Sequence, residues 1–226
     1  MVARQFYDRE ECLTAPLSHD LIFHKMLPLV VGIRQVPVLH FRRPTCVIYS
    51  DASYEISDPF PARLGLVYFD DSGSTPLGLA AVVSHTELSA LQCRMQQITA
   101  CEMMPVLYFL LSHSSLVAGR DVLWWIDNQA SVSLLIKGSS SQQDLAAISA
   151  AVHLYSAHLG CRLWFEWIPT DLNCSDGLSR DGVTDAWTIA QGWNLHTWQL
   201  PACLSLVCSS LVRFVETTCR GATNRL

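Results

Sequence analysis

Charge is scarce in this chain. Only 15% of its 226 residues are Asp, Glu, Lys or Arg, and 15 Lys and Arg face 20 Asp and Glu, a formal net charge of −5. A protein that grips nucleic acid by charge alone draws its phosphate contacts from Lys and Arg, so that class is excluded. A site holding divalent cations between carboxylates would change the sum, because such ions carry positive charge that a sequence does not display. The balance implies weak stand-alone affinity for nucleic acid rather than none.

Long apolar runs are missing too. The start, MVARQFYDREE, leads into no apolar stretch of the signal-peptide kind, and Leu200 to Val215 is interrupted by Pro201, Ser205, Ser209, Ser210 and Arg213. The expectation is an intracellular protein with no signal peptide and no membrane span. C-x-x-C pairs are absent: nine cysteines, an odd number, are scattered along the chain. Reduced thiols without a disulfide partner, packed as small hydrophobes, are expected. His153 and His158 stand five apart, as do Cys203 and Cys208, which is not the spacing of a zinc knuckle or a helix-face zinc pair.

Half the residues are hydrophobic, enough for one sizeable core. Three parts are expected: a lead-in over residues 1–44, a main domain over 45–182 and a C-terminal extension over 183–226. The lead-in segment MLPLVVGIRQVPVLHF suits one strand pair or an extended connector. The main domain opens on TCVIYSDAS, a short β-rich run that reads as a buried strand ending on one carboxylate, Asp51. RLGLVYF and LGLAAVVS, joined by DDSGSTP, read as the second and third strands of an antiparallel meander. Gly65 is placed there for close backbone approach.

Tyr68-Phe69-Asp70-Asp71 matches the Y-x-D-D string of polymerase sites. A polymerase palm needs another metal-binding Asp on a strand far upstream, and only 67 residues precede Tyr68. Beside Ser-Gly-Ser, the two aspartates read as a strand end and a turn.

Glu102 falls in the helical run Gln96 to Ser112, where Thr99-x-x-Glu102 has capping-box form and puts Glu102 in the first turn. Pro105 predicts a bend or a later start. Asp121 to Ile126 is all-apolar after its first residue, as in a parallel strand buried on both faces, and ends at Asp127-Asn128-Gln129. Helices follow over Ala130 to Lys137 and Asp144 to Leu159, each stopped by a glycine. His153 and His158 read as surface or satisfied histidines. Cys161 to Ile168 is a fifth strand, with Trp164 and Trp167 as core or sheet-face residues that could also stack a base. In NCSDGLSR, Asn173 is expected to cap a short helix with Asp176 in its first turn. Asp171, in the preceding loop, is the rival fourth carboxylate. Leu204 to Val215 reads as one amphipathic helix and TTCRGATNRL as a frayed end.

IYSDAS, VLWWIDNQASVSLLIKG and WIPTDLNCSDGLSR, in that order, resemble the ribonuclease H domain of retrotransposon reverse transcriptases over roughly Thr45 to Asp181. The last string is similar to the A-D-x-L-S-R ending of that family, with Ser175 in place of the usual Ala. The resemblance implies an α/β fold, a mixed five-stranded sheet of order 3-2-1-4-5 flanked by helices. It implies a nuclease that hydrolyses the RNA strand of RNA/DNA hybrids with two Mg²⁺ ions about 3.5–4 Å apart, Mn²⁺ being the substitute. Asp51, Glu102, Asp127 and Asp176 are then the catalytic carboxylates and metal ligands, Asp51 bridging both ions. Ser53 and Gln129, each two residues after a ligand, would meet sugar or base edges. The partners implied are hybrid duplex and the polymerase part of a longer reverse transcriptase. Two departures, no His between His158 and Asp176 and no basic helix, imply low intrinsic affinity. The alternatives are a 3′–5′ exonuclease, whose usual D-x-E is missing at Asp51-Ala52-Ser53, and a catalytically silent scaffold domain, in which a lost carboxylate would be expected.

Overall fold

A computed structural model describes residues 22, 23, 25–27 and 43–219. Most of the lead-in, and the end of the chain beyond Cys219, lie outside the described residues. The strands are β1 (Thr45–Tyr54), β2 (Ala62–Asp70), β3 (Leu77–Val82), β4 (Asp121–Ile126), β5 (Arg162–Trp167) and β6 (Asn194–Thr197). The helices are α1 (His85–Leu88), α2 (Ile98–Ser112), α3 (Ser114–Val117), α4 (Gln129–Lys137), α5 (Gln143–Leu159), α6 (Asp176–Arg180), α7 (Ala186–Ala190), α8 (Leu204–Ser209) and α9 (Leu211–Thr218).

The sheet order is β5-β4-β1-β2-β3-β6. β1, β2 and β3 form the antiparallel meander, and β4 and β5 add in parallel on the other side of β1. This is the expected 3-2-1-4-5 order, with one correction: among the described residues the sheet has six strands. β6 pairs in parallel with β3, so the segment beyond Gly182 contributes to the sheet. Asn194 to Thr197 is too short and too polar to announce itself as a strand.

α2 is apolar on every side because it is covered on every side. Residues Ala100 to Leu110 are all buried, between the sheet and α5. Pro105 neither stops nor delays it: the helix runs continuously through. The cost of a mid-helix proline, about 3 kcal/mol, is met by burial of the surrounding Met103, Met104, Val106 and Leu107. β4 differs from expectation in being buried on one face. Val122, Trp124 and Ile126 face the helices, while Leu123 and Trp125 are half-buried on the other side. The fully buried Trp124 donates from Nε1 to Ser50 Oγ at 2.8 Å, which ties β4 to β1 one residue before Asp51.

The C-terminal helical run is split in two at Ser210, whose side chain caps α9. Phe214 and Val215 enter the main core. A buried carboxylate, Glu87, holds the start of α8: Oε2 accepts from Tyr108 Oη (2.6 Å), Leu204 N (3.0 Å) and Cys203 N (3.3 Å). The Y-x-D-D string is structural, as expected. Asp70 ends β2 and pairs with Arg120 at 3.2 Å, and Asp71 accepts from Thr45 N at 2.9 Å. Among the described residues no helix is long and apolar enough to cross a membrane.

Candidate active site

Asp51 lies near the end of β1 opposite Gly65 of β2. Because β1 and β4 run in parallel with Ser50 beside Ile126, the next residue on each, Asp51 and Asp127, emerges at the same end of the sheet. α2 crosses behind them and delivers Glu102. Carboxylate oxygens of Asp51, Glu102 and Asp127 come within 4.8 Å of one another. Asp176, the first residue of α6, is outside that trio but lines the same cavity of about 460 Å³, with Ser53, Asn128, Thr170 and Arg180. Asp171 lines a neighbouring cavity instead, on a 3-10 turn over Thr170–Leu172.

Several local expectations need correcting. Glu102 is in the second turn of α2 rather than the first, and no capping box forms. The helix starts at Ile98 behind Gln97, whose side chain donates to Gln92 O instead of capping. Asn173 does not cap α6; Ser175 holds that position. Asn173 spans to the sheet: Nδ2 donates to Ser50 O at 3.0 Å, and Oδ1 accepts from Ser175 Oγ at 2.7 Å. Ser53 lines the cavity, with its hydroxyl donated to Ser179 O at 2.7 Å. Gln129 is exposed at the start of α4 and does not line the cavity; its neighbour Asn128 does, capping α4 through Ser131 N. Trp164 and Trp167 are both exposed, and Trp167 donates from Nε1 to Asp127 O at 2.9 Å.

Other side chains orient the carboxylates, and the motif strings alone did not single them out. Ser179, fully buried on the inner side of α6, donates from Oγ to Asp51 Oδ2. Thr170 Oγ1 donates to Asp127 Oδ2 at 2.8 Å. Arg180 pairs with Asp176 at 2.8 Å and is the only Lys or Arg lining the cavity among the described residues. Ser179 and Arg180 stand in the L-S-R string already quoted; only the fold shows that the serine faces Asp51.

The electrostatics are those of crowded acids. Burial pushes Asp51 up to about 8; the Ser179 hydrogen bond opposes the rise, and the charges of Asp127 and Asp176 add to it. Burial also holds Glu102 well above the usual carboxylate range, with Asp51 and Asp127 adding and the Ala52 backbone N–H opposing. Among the described residues, the buried Glu102 Oε2 has no hydrogen-bond partner. An orphaned buried oxygen beside two more carboxylates is a donor set that fits a hard divalent cation.

No family model matches the chain, and no curated protein matches it. Among solved structures, the N-terminal RNase H domain of a Mycobacterium tuberculosis protein, solved as a fusion with maltose-binding protein, is 18% identical. That match covers 66% of this chain and 96% of that one, with a TM-score of 0.46. RNase H1 of the archaeon Halobacterium salinarum is 16% identical over 63% of this chain and 99% of its own (TM-score 0.42). The protease-reverse transcriptase of prototype foamy virus is 15% identical over 66% of this chain and 22% of its own (TM-score 0.40). These are likenesses of overall shape. The order and directions of strands β1 to β5 are those that the sequence resemblance implies.

Proposed function

We propose that this domain is a metal-dependent ribonuclease H, hydrolysing the RNA strand of RNA/DNA hybrids, and that the chain is a fragment of a retroelement-type reverse transcriptase. The observation that carries the nuclease reading is the convergence of Asp51, Glu102 and Asp127 from three separate elements, with the Glu102 oxygen left unpaired. Asp51, Glu102 and Asp127 would hold divalent ions, Mg²⁺ or Mn²⁺, with Asp176 contributing from the rim. Such ions supply a nucleophilic water and neutralise charge on the phosphate and the leaving oxygen.

The chain's own residues do the positioning. Ser179 fixes one oxygen of Asp51 and leaves the other for the cavity, and Thr170 does the same for Asp127. Arg180, which uses Nε and Nη2 on Asp176, would offer Nη1 to a backbone phosphate at the rim. Ser53, its proton committed to Ser179 O, can still accept a hydrogen bond from a 2′-hydroxyl, the group that distinguishes RNA from DNA. A hybrid offers that group on one strand only. With so few basic residues, binding is weak and falls further with salt.

The test is cleavage of a labelled hybrid with Mg²⁺ or Mn²⁺. Cutting of the RNA strand alone, lost in Asp51→Asn, is the expected result. Stepwise removal of single-stranded DNA from its 3′ end would replace the reading with an exonuclease, and a folded protein that cuts nothing with either metal would replace it with a scaffold.

A further inference from the structure

β5 ends the sheet, and its outer edge pairs with no strand among the described residues. Its backbone polarity follows from two bonds on the inner side: Arg162 N donates to Arg120 O (2.9 Å) and Ile168 N to Ile126 O (3.1 Å). Direction alternates along a strand, so the even-numbered residues turn their N–H and C=O toward β4. Leu163, Phe165 and Trp167 turn theirs to the open edge, where they present an unused ladder.

The side chains add a pattern to that edge. Phe165 is buried on the helix side. Arg162, Trp164 and Glu166 share the opposite, open face, and Trp164 is 66% exposed, with Nε1 bonded to Glu166 Oε1 at 2.7 Å. A basic and an acidic residue thus flank an exposed tryptophan, two positions away on either side. Arg162 uses Nε and Nη2 on Asp121 of the neighbouring strand, which leaves Nη1 of its fork for another carboxylate.

We propose that this edge pairs with the same edge of a second copy of the chain, β5 against β5, antiparallel about a two-fold axis through Trp164. The register is fixed by the charges. With Trp164 opposite the partner's Trp164, Arg162 falls opposite the partner's Glu166, and Glu166 opposite the partner's Arg162. These are non-hydrogen-bonded pairs, Cα atoms about 4.5 Å apart, where side chains approach most closely. Leu163 and the partner's Phe165 then form the hydrogen-bonded pairs, and they are the residues whose backbone groups face outward. The open edge, the backbone parity and the charge order select the same register, and none of them depends on the nuclease reading. The paired strand is short, so the dimer is a weak one, formed at micromolar or higher concentration.

Sedimentation velocity over a concentration series tests this on the whole chain, with a thermal melt of each variant to show that it is folded. The wild type should pass from monomer to dimer. Glu166→Arg sets two arginines opposite each other at both ends of the pair and should weaken association about tenfold or more. Mixing Glu166→Arg with Arg162→Glu should restore a dimer containing one copy of each, since opposite charges face each other again. A wild type that stays monomeric to near-millimolar concentration overturns the proposal, as does association that Glu166→Arg leaves unchanged or a folded mixture that fails to associate.

Discussion

Gly65→Ala is the substitution for which the structure gives the most definite answer. A Cβ at position 65 would stand 2.5 Å from Ser175 O, 2.6 Å from Ser179 N and 2.9 Å from Leu178 Cβ. Two of these atoms are backbone, and all three belong to α6 and the residue that caps it. Ordinary contact begins at 3.4 Å, so α6 must retreat by about 0.9 Å, and overpacking of this kind costs about 1–3 kcal/mol. For a chain this size that is a melting-temperature loss of roughly 2–12 °C. α6 carries Asp176 and the Ser179 hydroxyl that orients Asp51, and a misplacement near 1 Å costs about 10²-fold in rate. Hybrid cleavage at saturating metal should therefore fall about a hundredfold while most of the stability remains. Gly78→Ala is the milder case: its Cβ meets Leu195 Cδ2 at 2.5 Å and Leu178 Cδ1 at 3.4 Å, the far ends of flexible side chains that can give way where backbone cannot, so cleavage should fall less than in Gly65→Ala. Wild-type cleavage and melting in Gly65→Ala would show that α6 is not seated on β2 as described.

Asp127→Asn should abolish cleavage and leave the metal-free protein as stable or more stable, since it removes a charge that acts on both Asp51 and Glu102; a large drop in melting temperature with chelator present would make Asp127 a structural residue. Ser179→Ala should weaken Mn²⁺ binding about 10–100-fold by freeing Asp51 to rotate, and an unchanged affinity by isothermal titration would contradict its orienting role. Asp51 keeps its proton to about pH 8 in the fold, against an ordinary value of 3.8. Between those values the folded state holds more protons than the unfolded one, so metal-free stability should decline as pH rises from about 4 to about 8 and level off above. Excess Mg²⁺ should flatten that slope, and a metal-free melting temperature that climbs through the same range would refute the burial argument.

What could be read in advance was whatever a short string fixes locally. An apolar strand leading to a carboxylate is legible at Asp51 and Asp127, because strand direction leaves little freedom about where the next residue points, but β1 does not end on Asp51: it continues to Tyr54, still paired with β2. Gly65 is legible as a special position because a glycine inside an apolar strand marks a bulge, a bend or a close approach, and the structure shows close approach, by α6. Glu102 was located but misplaced by a turn, since Thr99-x-x-Glu102 looks like a cap and the actual start depends on Gln97 bonding back to Gln92 O. Gln129, chosen for standing two residues after Asp127, misses the cavity that Asn128 lines, because one residue at a helix start is about 100° of direction. The edge position of β5 is already in the expected order 3-2-1-4-5, but the exposure of Trp164 is not legible in RLWFEW, where a tryptophan between apolar neighbours reads equally well as core.

The C-terminal segment ties the fold to the site. Leu178 of α6 is buried with Val67 of β2 and Ala80 of β3, and Phe69, Val183, Trp193 and Leu195 close over them in a second, smaller core. β6 lies along β3 beside it, and Trp193 meets Phe69 edge-on with centroids 5.6 Å apart. Gly177 brings the α6 backbone against Asp185, whose carboxylate would stand 2.4–2.7 Å from a Cβ there. α6 has only five residues and cannot hold its own position by helix propensity. It is seated by Gly65 beneath, Asp185 beside and the small core around Leu178. The exposed half-face of a meander thus becomes the support for Asp176, and a segment with no catalytic motif of its own determines where the fourth carboxylate stands.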